Sequence, residues 1–170
     1  LIDLKTARLQ LRRLQLSDAE RLRPILQNIE VMYAWEHAFT HQEISAWLLE
    51  NLHRYQNDGY SYMAAENPYG TLVGVIGLLT EHVDGRSQLG IGWIFEKRFW
   101  GQGYAREGAQ ALLQYAFQTL KATQVIATIR PENIPSRKLA ERLGMQLRGS
   151  FLKEYRGKTM KHLIYQITNP

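Results

Sequence analysis

No cysteine occurs in the chain, and that absence excludes disulfide frameworks, thiolate metal sites and a cysteine nucleophile together. No apolar run approaches the roughly 20 residues that cross a bilayer. The N-terminal residues show no charged-then-apolar signal pattern, so a cytoplasmic address without a membrane partner is the expectation. Repeats, low-complexity tracts and Pro/Gly/Ser-rich linkers are missing too, which leaves one domain over residues 1–170. Acidic residues are outnumbered, 16 against 21 Lys plus Arg, and the net charge of +5 should attract anionic ligands such as nucleotides or cofactor phosphates. The basic residues are scattered rather than blocked, which argues against a nucleic-acid stripe. What the chain does have is 45% hydrophobic and 11% aromatic residues, enough for one core without metal or disulfide support.

Periodicity places the elements. Leu9, Leu11 and Arg13 alternate with Arg8, Gln10 and Arg12 as a half-buried strand does. Ser17 with Glu20 forms a capping-box pattern that predicts a helix to about Gln27. Thr40 with Glu43 repeats it ahead of Ile44, Trp47, Leu48, Leu52 and Tyr55, predicting a second helix to about Asn57, where Asp58-Gly59 stops it. Tyr60–Ala65, Leu72–Leu79 and Gln88–Phe95 are short apolar segments separated by turn residues, an antiparallel meander. A long amphipathic helix follows over Tyr104–Leu120, then a strand over Gln124–Ile129, a helix over Pro135–Leu143 and strands near Met145–Phe151 and Met160–Ile167. The fold class is therefore α+β, or mixed α/β: one twisted, mostly antiparallel mixed sheet of six or seven strands with helices on both faces.

Phe99-Trp100-Gly101-Gln102-Gly103-Tyr104-Ala105 joins the meander to the long helix. Gly101 and Gly103 allow a sharp turn and close backbone approach, and the first helical N–H groups point outward with the positive helix end, as a pyrophosphate would require. A glycine-rich turn that merely connects strand to helix is the plain alternative. There is no Gly-Lys-Ser/Thr ending and no complete G-x-G-x-x-G after the first strand, so P-loop and dinucleotide-fold readings fit poorly.

At this loop the chain resembles the GNAT family of N-acetyltransferases, and within it the RimJ/RimL-like branch that acetylates N-termini of ribosomal proteins; the resemblance covers nearly the whole chain. The acetyl-coenzyme A motif of that family, Q/R-x-x-G-x-G/A, fits as Trp100 to Ala105, with Trp in place of Gln or Arg. Arg98 to Gly103 also satisfies the pattern, but it ends before the helix is established. Gly92-Trp93-Ile94-Phe95 looks like the strand whose splayed end is implied to pair with the pantetheine, Ile94 and Phe95 acting there through the backbone. After Ile129, Arg130 to Met145 resembles the E-N-x-x-S segment: Asn133 is implied to contact the pantetheine arm and Ser136 to lie beside the cofactor sulfur. Capping alone would also explain Asn133. Lys138 is a candidate for the cofactor phosphates, although a basic helix face is usually just solvated.

Two departures bear on the chemistry. Ala140 stands where many members carry the tyrosine that protonates the leaving thiolate, so the resemblance turns to Ser136 as the proton-delivering hydroxyl. Gly90 stands where the branch often has a glutamate, so the base must lie elsewhere. Glu154 is the leading candidate, with Glu81, His82 and Glu66 behind it and an exposed ion pair as the plain reading of Glu154. The expected reaction is direct attack of a primary amine on acetyl-CoA in a ternary complex, without a metal, because no cysteine exists to carry the acetyl group and no Ser-His-Asp pattern stands out. The resemblance favours a protein N-terminal amine as acceptor. A polyamine or aminoglycoside is the alternative, with Val31–His37 as acceptor wall, and a non-catalytic acetyl-CoA or nucleic-acid-binding module is the remote one. Proteins similar to this one are often homodimers.

Overall fold

The computed structural model describes residues 3–170. Strands β1 (Leu4–Lys5) and β2 (Gln10–Arg13) open one edge of the sheet. Leu9 and Leu11 are buried as the alternation requires, while Arg12 turns to the other side. The helix start expected at Ser17 is capped differently. Leu16–Asp18 form a single 3-10 turn before α1 (Ala19–Leu26), and the carboxylate accepting the opening N–H, from Gln15 at 2.8 Å, belongs to Asp18. Glu20 pairs with Arg23 at the surface instead. Asp18 wins the position because Arg12 donates to both its oxygens, at 3.0 and 2.8 Å, in a site that is only 4% exposed.

A short α2 (Ile29–Met32) leads to α3 (His41–Asn57), which begins with the expected Thr40–Glu43 box: each side chain accepts from the other residue's N–H. The meander is β3 (Tyr62–Glu66), β4 (Leu72–Val83) and β5 (Arg86–Phe95). Asp84 and Gly85, both at positive φ, make the tight turn between the last two. Then come α4 (Tyr104–Gln118), β6 (Gln124–Ile129), α5 (Ile134–Arg142), β7 (Gln146–Tyr155) and β8 (Lys158–Thr168).

The sheet order is β1-β2-β3-β4-β5-β6-β8-β7, eight strands rather than six or seven. A two-residue β1 is too short to show alternation, so it escapes a sequence reading; it exists because Leu4 and Lys5 pair with Leu11 and Gln10. All neighbours are antiparallel except β5 and β6. That parallel pair holds one bridge only, Gly90 to Ile126, and beyond it the two strands part.

Two cores flank the sheet. On one face α4 packs Ala109, Leu112 and Ala116 against Ile76, Leu78 and Ile91. On the other, Leu22, Ile25, Ile44 and Leu48 of α1 and α3 meet Val75, Leu79 and Ile94. Truncating Leu112, which is wholly buried, to Ala should cost about 2–5 kcal/mol. A smaller cluster of Val83, Ile126 and Phe151 extends the second face toward the β7–β8 hairpin. The parting of β5 and β6 therefore opens a passage between the two faces at mid-sheet.

Candidate active site

A cavity of about 680 Å³ runs through that passage. Its first end is built by the glycine loop. Gly101 and Gly103 have φ of 76° and 81°, a left-handed conformation that side-chain-bearing residues rarely adopt. Gly103 is the N-cap of α4 and provides no side-chain cap; the first bond of the helix runs from Glu107 N–H to Gly103 O. The amides of Tyr104, Ala105 and Arg106 therefore have no helical partner, and the positive end of a 15-residue helix faces the cavity. A Cβ at Gly101 would meet nothing within 4 Å, so its glycine is needed for conformation rather than for space.

Three braces hold this loop. The Trp100 indole donates to the Phe95 carbonyl at 2.8 Å, which ties the loop back to the end of β5. Gln102, the one residue expected at the cofactor that does not line the cavity, donates to the Arg98 carbonyl instead. Its own carbonyl accepts from Arg8, whose guanidinium also lies 4.5 Å over the Tyr104 ring and binds Glu107 at 2.8 Å. Burial works to raise the Glu107 carboxyl, but hydrogen bonds from Thr6 and Arg8 hold it below the ordinary carboxylate range. Arg8 carries no local signal in the sequence, because it lies in the bend before β2, 95 positions from Gly103.

The next stretch of cavity wall comes from α5. Asn133 caps that helix, its Oδ1 accepting from the Ser136 N–H at 3.3 Å, and it lines the cavity as well, so capping and siting coincide. Ser136 Oγ accepts from the Trp93 indole at 3.1 Å. With an acceptor lone pair so engaged, the hydroxyl hydrogen remains for donation into the cavity. Ile94, Phe95 and the exposed Lys138 also lie on the wall. Arg106 and Arg142 line the same cavity, adding positive charge.

The opposite end lies on the face of α1 to α3. Of the segment Val31–His37, Val31, Tyr33, Ala34 and Trp35 line it, while Met32 is fully buried in the core and Glu36 and His37 are not on the lining. Glu154 does not line it: alternation in β7 turns Lys153 and Tyr155 inward and leaves Glu154 exposed on the other side, paired in register with Thr159. Glu154, expected to face the acceptor, thus stands outside the cavity lining, since a longer hairpin than expected puts it within a strand. Glu66 binds Arg12 and Arg21 away from the cavity, and His82 is exposed beside Ser87. Glu81 does line the cavity. So does His162, which the sequence did not signal, because a single histidine in a strand carries no pattern. Burial lowers the His162 imidazole, assisted by the charges of Lys153 and Arg130 and opposed by a contact of Nδ1 with the Met160 carbonyl at 3.2 Å. It is a neutral ring at pH 7.

The residues fit an acyl-coenzyme A thioester: a helix end and cations for phosphates, an unpaired strand edge for an amide-bearing arm, and the Ser136 hydroxyl on the cavity wall. No group of His, Cys, Asp or Glu that could hold a metal ion occurs among the described residues. No helix among them is long and apolar enough to cross a membrane.

Comparison with known proteins agrees. Residues 8–146 match the family described as "Acetyltransferase (GNAT) domain". The chain is 31% identical over 144 residues to the uncharacterized protein YkkB of Bacillus subtilis, covering 84% of each. It is 30% identical over 158 residues to the uncharacterized N-acetyltransferase p20 of Bacillus licheniformis, covering 89% of this chain and 86% of that one. Among solved structures, a GNAT-family acetyltransferase from Bacillus anthracis superposes with a TM-score of 0.82 at 28% identity, covering 98% of each chain. RimL, a ribosomal alpha-N-protein acetyltransferase in complex with coenzyme A, superposes with a TM-score of 0.79 at 19% identity over 98% of this chain and 97% of that one, a likeness of fold alone.

Proposed function

The chain belongs to the GNAT family of N-acetyltransferases, and from that premise we propose that it moves the acetyl group of acetyl-CoA to a protein N-terminal α-amine, in the manner of the RimJ/RimL-like branch. The observation that carries this reading is the charge of the cavity. Its charged lining consists of Arg106, Arg130, Lys138, Arg142 and Lys153 with a single carboxylate, Glu81. Such a wall suits the cofactor phosphates at one end and an acceptor with one positive charge at the other. A polyamine or aminoglycoside would bring several charges to a wall whose one carboxylate, Glu81, is already shared with Lys153, and the nearby Glu132 and Glu36 are taken up by Arg130.

Ser136 delivers a hydrogen bond to the departing sulfur, and the loop from Trp100 to Ala105 with Asn133 and Lys138 positions the donor. Much of the rate comes from holding the amine and the thioester together. Transfer is direct, since the chain has no cysteine to carry an acetyl group.

An acetylation screen with N-terminal peptides, polyamines and aminoglycosides, read by mass spectrometry, tests this. Peptide α-amines should be modified and lysine side chains should not, because an α-amine near pKa ~8 gives up its proton more readily than a lysine near ~10.4. Exclusive acetylation of polyamines would overturn the acceptor assignment, and ping-pong kinetics would overturn direct transfer.

A further inference from the structure

The reaction needs a group that takes the proton of the incoming ammonium, and at the bridge where the strands part, β5 carries Gly90, which has no side chain to offer. Gly90 is not idle space. A Cβ built there would lie 2.5 Å from the Cγ of Glu81, so the Glu81 side chain already crosses over the glycine and occupies the volume that a side chain at 90 would fill. The register explains the approach: Gly90 pairs with Leu79 across β4 and β5, and Glu81 lies two residues further on the same face. Gly90 is also the residue of the one β5–β6 bridge, so Glu81 reaches the apex of the parting strands. Its side chain is 14% exposed and lines the cavity.

We propose that Glu81 is the catalytic proton acceptor of this enzyme, carried on β4 and admitted by the missing side chain of Gly90. The proposal rests on the acetyl-transfer reading of the cavity. Lys153 is the counter-charge, 3.7 Å from the carboxylate. Tyr62 from β3 and His162 from β8 line the same cavity. The Tyr62 phenol is raised by burial first and by the Glu81 charge second, so it stays protonated and does not compete. Tyr62 stands over Gly92 as Glu81 stands over Gly90: its hydroxyl would lie 2.6 Å from a Cβ at that position. Two glycines two residues apart thus let an acid and a phenol lie directly on the strand.

The proton balance is simple. Two protons leave the acceptor nitrogen. The first passes from the ammonium to the Glu81 carboxylate and on to water, which frees the lone pair. The nitrogen then bonds to the thioester carbonyl carbon, the carbon–sulfur bond breaks, and the second proton goes to the departing sulfur.

Glu81→Gln tests the proposal with three readouts: thiol release with the free-amine tetrapeptide Ala-Gly-Ala-Gly, thiol release with methoxyamine, whose nitrogen is already neutral at pH 7, and calorimetric binding of coenzyme A and of the peptide. Peptide kcat/KM should fall about 10²-fold while methoxyamine loses less than about threefold. Peptide affinity for the coenzyme A-loaded protein should weaken about tenfold as the ammonium loses its counter-charge, with coenzyme A affinity unchanged. An equal fall with both acceptors, or unchanged peptide affinity and rate, overturns the role of Glu81. Loss of coenzyme A binding in the unsubstituted protein would instead sink the acetyl-transfer reading itself. Gly90→Ala, which drives a Cβ into Glu81, should cost about tenfold alone and nothing further beside Glu81→Gln; additive losses overturn the packing argument.

Discussion

The two ends of the cavity are built by different means. The donor end is one contiguous loop and two helix starts, and its chemistry is mostly backbone: amides at the mouth of α4, left-handed glycines and the Asn133 cap. The acceptor end is assembled from side chains on β4, β7 and β8 and the segment after α2, brought together across the sheet. Backbone donors tolerate change in side chains but not in φ, whereas the assembled end tolerates local strain but not the loss of one group. That asymmetry dictates where substitutions should hurt and how.

The largest effect should come from Gly103→Val, since a β-branched residue at φ 81° is strained whatever the space, and Arg8 Nη2 lies only 3.3 Å from the added Cβ. Coenzyme A affinity should drop at least about 100-fold by calorimetry, with far-UV circular dichroism little changed. Intact affinity would mean that the helix end does not bind the phosphates. Glu81→Gln should show the opposite signature, an acceptor defect with donor binding intact. Ser136→Ala should lower kcat by about tenfold with the coenzyme A affinity unchanged, because one hydrogen bond to the leaving group is lost while the Asn133 cap persists. A loss of affinity as large as the loss of kcat would move Ser136 from the chemistry to binding.

Acidity should reach the acceptor end before the donor end. Burial lowers the folded-state His162 below its ordinary 6.5, so the unfolded chain binds this proton more readily. Stability from this group is full above about 6.5 and falls as pH drops from there toward the folded-state value. The Asp18 and Glu107 carboxyls run lower in the fold than unfolded: burial raises each, and hydrogen bonds from Arg12 and Gln15, or from Thr6 and Arg8, more than offset it. Their contribution is present above the ordinary carboxylate range and lost only as pH falls through the depressed values. Urea melts at pH 7 and 5.5 should differ for the natural protein, and His162→Gln should remove most of the difference. The smallest effect belongs to Glu154→Gln: turnover should stay within about twofold, because the side chain faces away from the cavity.

The mouth of the acceptor end shows the same assembled character. Lys158 reaches Glu36, and Arg156 reaches His37 and Glu43, so the β7–β8 turn is pinned to the segment after α2 by surface charges, while the largely buried Arg130, just after β6, also reaches Glu36. Such pairs contribute little stability singly and weaken with salt.

Local patterns determined the donor end. Glycine spacing ahead of an apolar helical period fixes a loop and a helix start, and Asn before Ile-Pro fixes a cap, because each depends on neighbours within a few residues. The Thr40–Glu43 box and the Gln124–Ile129 strand were legible for the same reason. Only the tertiary structure decided the acceptor end. Whether Glu154 or Glu81 lines the cavity depends on strand register and hairpin length, where a shift of one residue reverses every side chain. Whether Gly90 is a gap or a doorway depends on what a strand packed beside it sends across, and that partner lies outside any local window.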